Sequence, residues 1–242
     1  MCLERLEEAK QPDIIFITAN QYTPTDRFNH LDICAAYKIC ESCLDCRDDE
    51  QHKNGPMISG ILKEIKHLEP VPVITTANPP ELLVKIIHDE LGWKQSYNML
   101  IMLDNQRVSN ISRISNGEVL VIGEHRRPVV TLAHLKKDSL ELYKEIDAFL
   151  GQILKKAHEN KGVPSYTAVR EALDGLINAI SFEKPLSCIL TTYDDQIGTG
   201  IGKPFIVRGL DFIEQKTPTL SPHENEALNK TKERLIKKWS LK

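Results

Sequence analysis

The chain has 242 residues, 41% of them hydrophobic and 27% charged, with 12 Gly and 13 Pro, which excludes a disordered or collagen-like chain and supplies a sizeable core. A formal net charge of -3 and a pI near 6.3 argue against a general affinity for nucleic acid or an anionic membrane. The opening residues, MCLERLEEAK, carry charges where a signal peptide has its apolar run, so the expected location is the cytoplasm, where six cysteines stay reduced.

Three short apolar runs come first: DIIFITAN at 13–20, VPVITTAN at 71–78 and NMLIMLDN at 98–105. Each is bounded by polar residues and apolar on both faces, the pattern of a buried strand in a parallel sheet. The segments between them have helical spacing. Phe28 to Cys46 contains Leu31, Cys34, Ala35, Lys38 and Ile39 at helical spacing, and Met57 to Leu68 places Ile58, Ile61, Leu62 and Ile65 on one face. PPELLVKIIHDELGW opens on Pro, which a first helical turn tolerates. This alternation predicts an α/β fold, a Rossmann-like three-layer sandwich with a mostly parallel sheet.

The pattern then changes. In RVSNISRISNGEVLVIGE, Asn116 and Gly117 stand between two strand-like segments and signal a β-hairpin, and PVVTLAHL at 128–135 is a further strand. A long helix is expected from Asp138 to Asn160, ended by Gly162, and another through Ile180. LSCILTTY and PFIVRGLDFIE read as strands flanking a glycine-rich loop, and SPHENEALNKTKERLIKKWSLK closes as a helix with a basic end. The chain thus divides into a Rossmann-like α/β region, 1–135, and a helical and β-hairpin region, 136–242, packed on it as one continuous globular unit.

The three early runs end in TAN, TTAN and LDN. Parallel strands end along one edge of a sheet, and ligands bind in the crevice beyond that edge. Thr18, Asn20, Thr76, Asn78, Asp104 and Asn105 would therefore converge as short amides, hydroxyls and one carboxylate able to bond a ribose, a base edge or an acid. Helix N-termini near Thr25 and Asp26 and near Pro79 and Pro80 would turn backbone donors toward an anion. In YDDQIGTGIGKPF, three glycines precede Lys203 in a composition that suits phosphate, although the spacing is neither that of a P-loop nor that of a dinucleotide fingerprint. The expected function is binding of a nucleotide-like or other small anionic ligand at the strand ends, with hydrolysis as a reaction such a site could serve. The sequence identifies neither a catalytic residue nor a cofactor.

The alternative is a noncatalytic protein-interaction subunit, or a homo-oligomer, facing its partners with the basic C-terminal helix and a cysteine-rich segment. That segment, CESCLDCRDDEQH, places Cys40, Cys43, Cys46 and His52 where three thiolates and an imidazole would complete a zinc tetrahedron if the helix unwinds. Structural zinc sites usually draw paired ligands from two segments, so absence of metal is the expectation. VREALDGLINAI, taken with DDQIGTG, is locally similar to the ATP-site boxes of the gyrase and histidine-kinase ATPase family. The resemblance would put Glu171 at the general-base position, but Gly175 stands where that family has its metal-binding asparagine. His88 and Asp89 read as a solvated helix face.

Overall fold

The computed structural model describes residues 11–18, 49–109, 119–125, 127–132, 141–146, 148, 149, 152 and 166–239, without the side chains of 49–53 and 166–168. In chain order the elements are β1 (Ile15–Ile17), α1 (Asp49–Ile65), β2 (Val73–Thr75), α2 (Pro80–Leu91), β3 (Ser96–Asn98) and α3 (Ile101–Ser109). They continue with β4 (Leu120–Glu124), β5 (Arg127–Thr131), α4 (Tyr166–Ser181), β6 (Leu186–Asp194), β7 (Thr199–Arg208), β8 (Asp211–Glu214) and α5 (Pro222–Trp239). The eight strands form one sheet in the order β1-β2-β3-β6-β7-β4-β5, with β8 also on β7.

This is a Rossmann-like α/β sandwich. Side chains of successive strand residues point to opposite faces, so a strand buried on both sides must be apolar throughout. Val73 and Ile74 of β2 obey that rule. Val73 packs with Ile17, Ile58, Leu62, Leu83 and Ile87 beneath α1 and α2, while Ile74 packs with Leu103, Leu176, Leu190 and Phe205 beneath α3 and α4. Helix α2 forms where expected, with Pro80 in its first turn and Gly92 closing it at φ 68°, where the Gly92 N–H donates to the His88 carbonyl at 2.8 Å.

The parallel pairing joins β1 to β2 and β2 to β3; from β3 onward every pair is antiparallel. The reason is connection length. β4 and β5 are joined by two residues, β7 and β8 by two and β6 and β7 by four, lengths that make hairpins, whereas parallel neighbours need a helical crossover, and that is what α1 and α2 supply.

Two expected strands require correction. NMLIMLDN is not a strand along its length: β3 stops at Asn98 and α3 begins at Ile101. The Asn98 side chain ends the strand, its Oδ1 accepting the Leu100 N–H at 2.9 Å and its Nδ2 donating to Thr75 Oγ1 at 2.5 Å and to the Ala77 carbonyl at 2.8 Å. An apolar run cannot by itself separate a buried strand from a buried helix start. The segment from Arg107 to Ser109, expected as the first arm of a hairpin, is likewise the end of α3, and the Asn116–Gly117 turn lies outside the described residues. Of the helix expected over 138–160, residues 141–146, 148, 149 and 152 are described and helical.

Helix α5 is fastened by one buried acid. Ser221 and Glu224 form a capping box, the Ser221 Oγ accepting the Glu224 N–H at 3.2 Å and Glu224 Oε2 accepting the Ser221 N–H at 2.7 Å. The other oxygen, Oε1, accepts the Leu132 N–H after β5 and the Tyr143 hydroxyl, the latter at 2.6 Å. A fully buried carboxylate is tolerable only when its oxygens are met in this way. Replacing Glu224 by Ala leaves buried donors unpaired, and the expected loss of unfolding free energy is about 3 kcal/mol, measured by urea denaturation, with Glu224→Gln recovering part of it.

Candidate functional site

The site begins at the connection between β4 and β5. Glu124 is paired with Arg127, so the connection is two residues long and His125 stands in it. The histidine is buried, 8% exposed. Its ring Nδ1 lies 2.7 Å from Oδ2 of Asp104 on α3, itself 2% exposed. A carboxylate only accepts, so this contact assigns the proton to Nδ1 and makes Nε2 the nitrogen through which the ring would exchange protons.

Asp104 has a second partner one turn along α3. Arg107 Nη1 donates to its Oδ1 at 3.1 Å, and the arginine side chain is 35% exposed. The pair leaves most of the guanidinium fork available to an acid arriving beside the imidazole. Two neighbouring acceptors on α3, Asn105 Oδ1 and Gln106 Oε1, are buried and accept from no group among the described residues.

A second carboxyl meets the same histidine from the opposite helix layer. Glu81, in the first turn of α2 and 3% exposed, accepts the His125 backbone N–H through Oε1 at 2.7 Å. Burial, reinforced by the charge of Glu124, pushes the Glu81 carboxyl up to about 7 against the opposing pull of His125. Glu124 is in turn held by Arg234 of α5, whose Nε donates to Oε2 at 2.7 Å.

Glu81 comes this close because β7 lacks side chains beneath it. A Cβ built at Gly200 would stand 2.8 Å from both the Cα and the carbonyl oxygen of Glu81, and one at Gly202 would stand 2.1 Å from Ile101 Cδ1 and 2.9 Å from the Gly123 carbonyl. Thr199 Oγ1 also donates to the Glu81 carbonyl at 3.2 Å. The glycine-rich segment expected as a loop between two strands is the β6–β7 hairpin, but most of its glycines are strand: Gly198 is in the turn, at φ 66°, and Gly200 and Gly202 belong to β7.

The residues anticipated from sequence are placed as follows. The ends of β1, β2 and β3 do lie side by side, with the Thr76 N–H donating to the Ile17 carbonyl and the Met99 N–H to the Thr75 carbonyl, each at 3.2 Å. Thr18 is exposed there, Thr76 is half-buried, and Asn78 is buried with its carbonyl accepting from Asn54 Nδ2 at 2.8 Å. Asn20 lies outside the described residues. Asp104 and Asn105 are in α3, not at a strand end, and only Asp104 joins the His125 cluster. Lys203 does not join it, because Asp194 and Glu214 take its ammonium at 3.1 and 3.2 Å.

The N-terminus of α2 is a poor anion site, contrary to expectation. Pro79 and Pro80 have no N–H to offer, and Glu81 puts an acid there. Glu171 is exposed on α4, and DDQIGTG forms the β6–β7 hairpin, so the likeness to an ATP site stops at the sequence. Cys40, Cys43 and Cys46 lie outside the described residues, as does the His52 side chain; among the described residues no three metal-binding side chains converge. No described helix is long and apolar enough to cross a membrane.

No protein-family model and no curated protein matches the sequence. Solved structures match the fold. A malate dehydrogenase from Plasmodium falciparum in complex with NADH superposes with a TM-score of 0.69 at 15% identity, covering 98% of this chain and 78% of that one. A lactate dehydrogenase from a Medee basin deep-sea metagenome library gives 0.69 at 16% identity, covering 96% and 77%. An Archaeoglobus fulgidus malate dehydrogenase in complex with NADH gives 0.68 at 18% identity, covering 96% and 76%. The chain shares the Rossmann-like α/β fold of these structures.

Two measurements check the site. Glu81 is an acid whose native pKa, about 7, exceeds its ordinary 4.5, so the folded state binds the extra proton between those values. Its contribution is fully favourable below 4.5 and is lost as pH rises through 7; unfolding free energy should fall across that window, and Glu81→Gln should flatten the fall. Gly200→Ala should lower the melting temperature through a loss of about 1–3 kcal/mol, because its methyl meets backbone that cannot step aside.

Proposed function

We propose that the chain binds a small carboxylic acid bearing a hydroxyl or carbonyl group next to its carboxylate, and exchanges a proton with it. The observation that carries this is the buried His125–Asp104 pair with Arg107 on the same carboxylate. Each part has a matching task. Arg107 supplies a fixed cation for the acid's carboxylate, and His125 Nε2 accepts a proton from a hydroxyl or donates one to a carbonyl oxygen. Asp104 holds the ring in the required tautomer and stabilises the imidazolium once the proton has arrived. The fold supports the choice of ligand, since malate and lactate are hydroxy acids of this kind and the neighbours are named for acting on them.

A nucleotide-type ligand belongs to this reading at the crevice beyond β1, β2 and β3, because two of the neighbours are in complex with NADH. The fit of a dinucleotide to the described residues is incomplete. Gly200 and Gly202 are covered by Glu81, Ile101 and Gly123, the α2 N-terminus is closed by prolines and an acid, and the sequence has no G-x-G-x-x-G pattern. The proposed chemistry is accordingly confined to the acid and the proton that His125 handles. No arrangement among the described residues favours hydrolysis or the interaction-subunit alternative.

Calorimetric titration with oxamate, L-malate and L-lactate, with and without NADH, tests the proposal. Wild-type protein should bind at least one acid, and Arg107→Gln should weaken that binding roughly 10- to 100-fold by removing a charge-assisted partner. If turnover with a nicotinamide cofactor is detected by its ultraviolet absorbance, His125→Asn should slow it by about 10²–10⁴-fold. An unmodified affinity in Arg107→Gln, or no binding of any acid by the wild type, refutes the assignment.

A further inference from the structure

We infer that Glu81 is a positioning residue for His125, holding the backbone of the histidine while Asp104 holds its ring. This deepens the proposed function and rests on it only for the meaning of the result. Two carboxyl groups from opposite helix layers reach one residue: Asp104 from α3 takes Nδ1 at 2.7 Å, and Glu81 from α2 takes the main-chain N–H at 2.7 Å. An imidazole anchored only through Nδ1 can still swing about its Cα. Fixing the N–H of a residue in a two-residue connection removes that freedom, because the neighbouring Glu124 and Arg127 are already paired across the hairpin.

Glu81 is suited to act as a fixed post. Its carbonyl is held by Thr199 Oγ1, its main chain is seated over Gly200, and its side chain is buried, so neither end can drift. An acid in the first turn of a helix ordinarily faces water or the helix's own donors. Here it crosses to another element, 44 residues further along the chain. The groups that face it from the packed elements are Glu124 at the end of β4 and His125 in the connection that follows, and Arg234 of α5 donates to Glu124. A carboxyl that served packing alone would have no reason to incur burial beside Glu124 when an amide or an alkyl group fills the same space.

The test compares wild type, Glu81→Gln and Glu81→Ala by nitrogen-15 NMR of the His125 imidazole, with melting curves to verify folding. Glu81→Gln keeps an acceptor oxygen and should keep the Nδ1–H signal and its titration near those of the wild type. Glu81→Ala should shift the signal and speed its exchange with water at least about tenfold, and should weaken oxamate roughly tenfold, since catalytic geometry tolerates little displacement. Identical imidazole spectra and titration in wild type and folded Glu81→Ala overturn the inference, as does failure of Glu81→Gln to restore them. Should the alanine variant not fold, Glu81→Asp, which keeps the charge and shortens the reach, is read in the same way. If the wild type binds no acid, the functional reading falls, while the imidazole spectra still decide the role of Glu81.

Discussion

The close approach of α2 to β7 at Gly200 is the constraint on which the site depends. Helices normally stand off a sheet by the depth of a side-chain layer. At Gly200 that layer is missing, so the Glu81 backbone rests on the strand, and at Gly202 the same omission admits Ile101 from α3 and Gly123 from β4. Contacts converge at one place because β7 gives up side chains there. The three elements that then meet are those that carry Glu81, Asp104 and His125. Burial makes each of their mutual hydrogen bonds stronger than it would be in water, and makes each unpaired alternative worse.

Charge is arranged to make this burial tolerable. Asp104 is answered by Arg107, Glu124 by Arg234, and Glu81 by a backbone N–H while its raised pKa keeps a proton within reach near neutrality. The outer layer thus supplies the cations, one from α3 and one from α5, and the histidine stands between them. Helix α5 is for this reason more than a cover: its Arg234 sits on the residue next to His125, and Glu224 at its start fixes it to the strand that follows.

The layered fold was legible from the sequence because hydrophobic periodicity reports burial directly. The runs at 13–20 and 71–78, the prolines before Leu82 and the apolar positions Leu83 and Ile87 all translate into the observed strands and helix. NMLIMLDN was less legible, since α3 starts inside the core and its first turn is as apolar as a strand. The site was mostly hidden. Asp104 stood out as a carboxylate at the end of an apolar run, but its partners are close in space and distant in sequence: His125 is 21 residues away from Asp104 and 44 from Glu81. A lone histidine after LVIGE has no local pattern to mark it, although a charged pair directly following a buried strand was a usable sign. The glycines were legible as a loop between two strands but not as the close approach of β7 to α2, because a tight turn, a phosphate loop and a close backbone approach ask for the same residue.

The strand order has a kinetic consequence. β3 and β4 follow one another in the chain, yet in the sheet they are separated by β6 and β7, which occupy residues 186–208. A chain emerging from the ribosome therefore holds Asp104 and His125 for some time before the strands that will stand between their supports exist. Local helices and the β1-β2-β3 ladder can form early, whereas the floor under Glu81 arrives only with β7. Long-range closure of that kind makes for slow folding and leaves strand edges exposed in the interim. The His125 cluster should be among the last parts of the molecule to acquire native order, and the β6–β7 hairpin, with its short turn, is the element whose docking completes it.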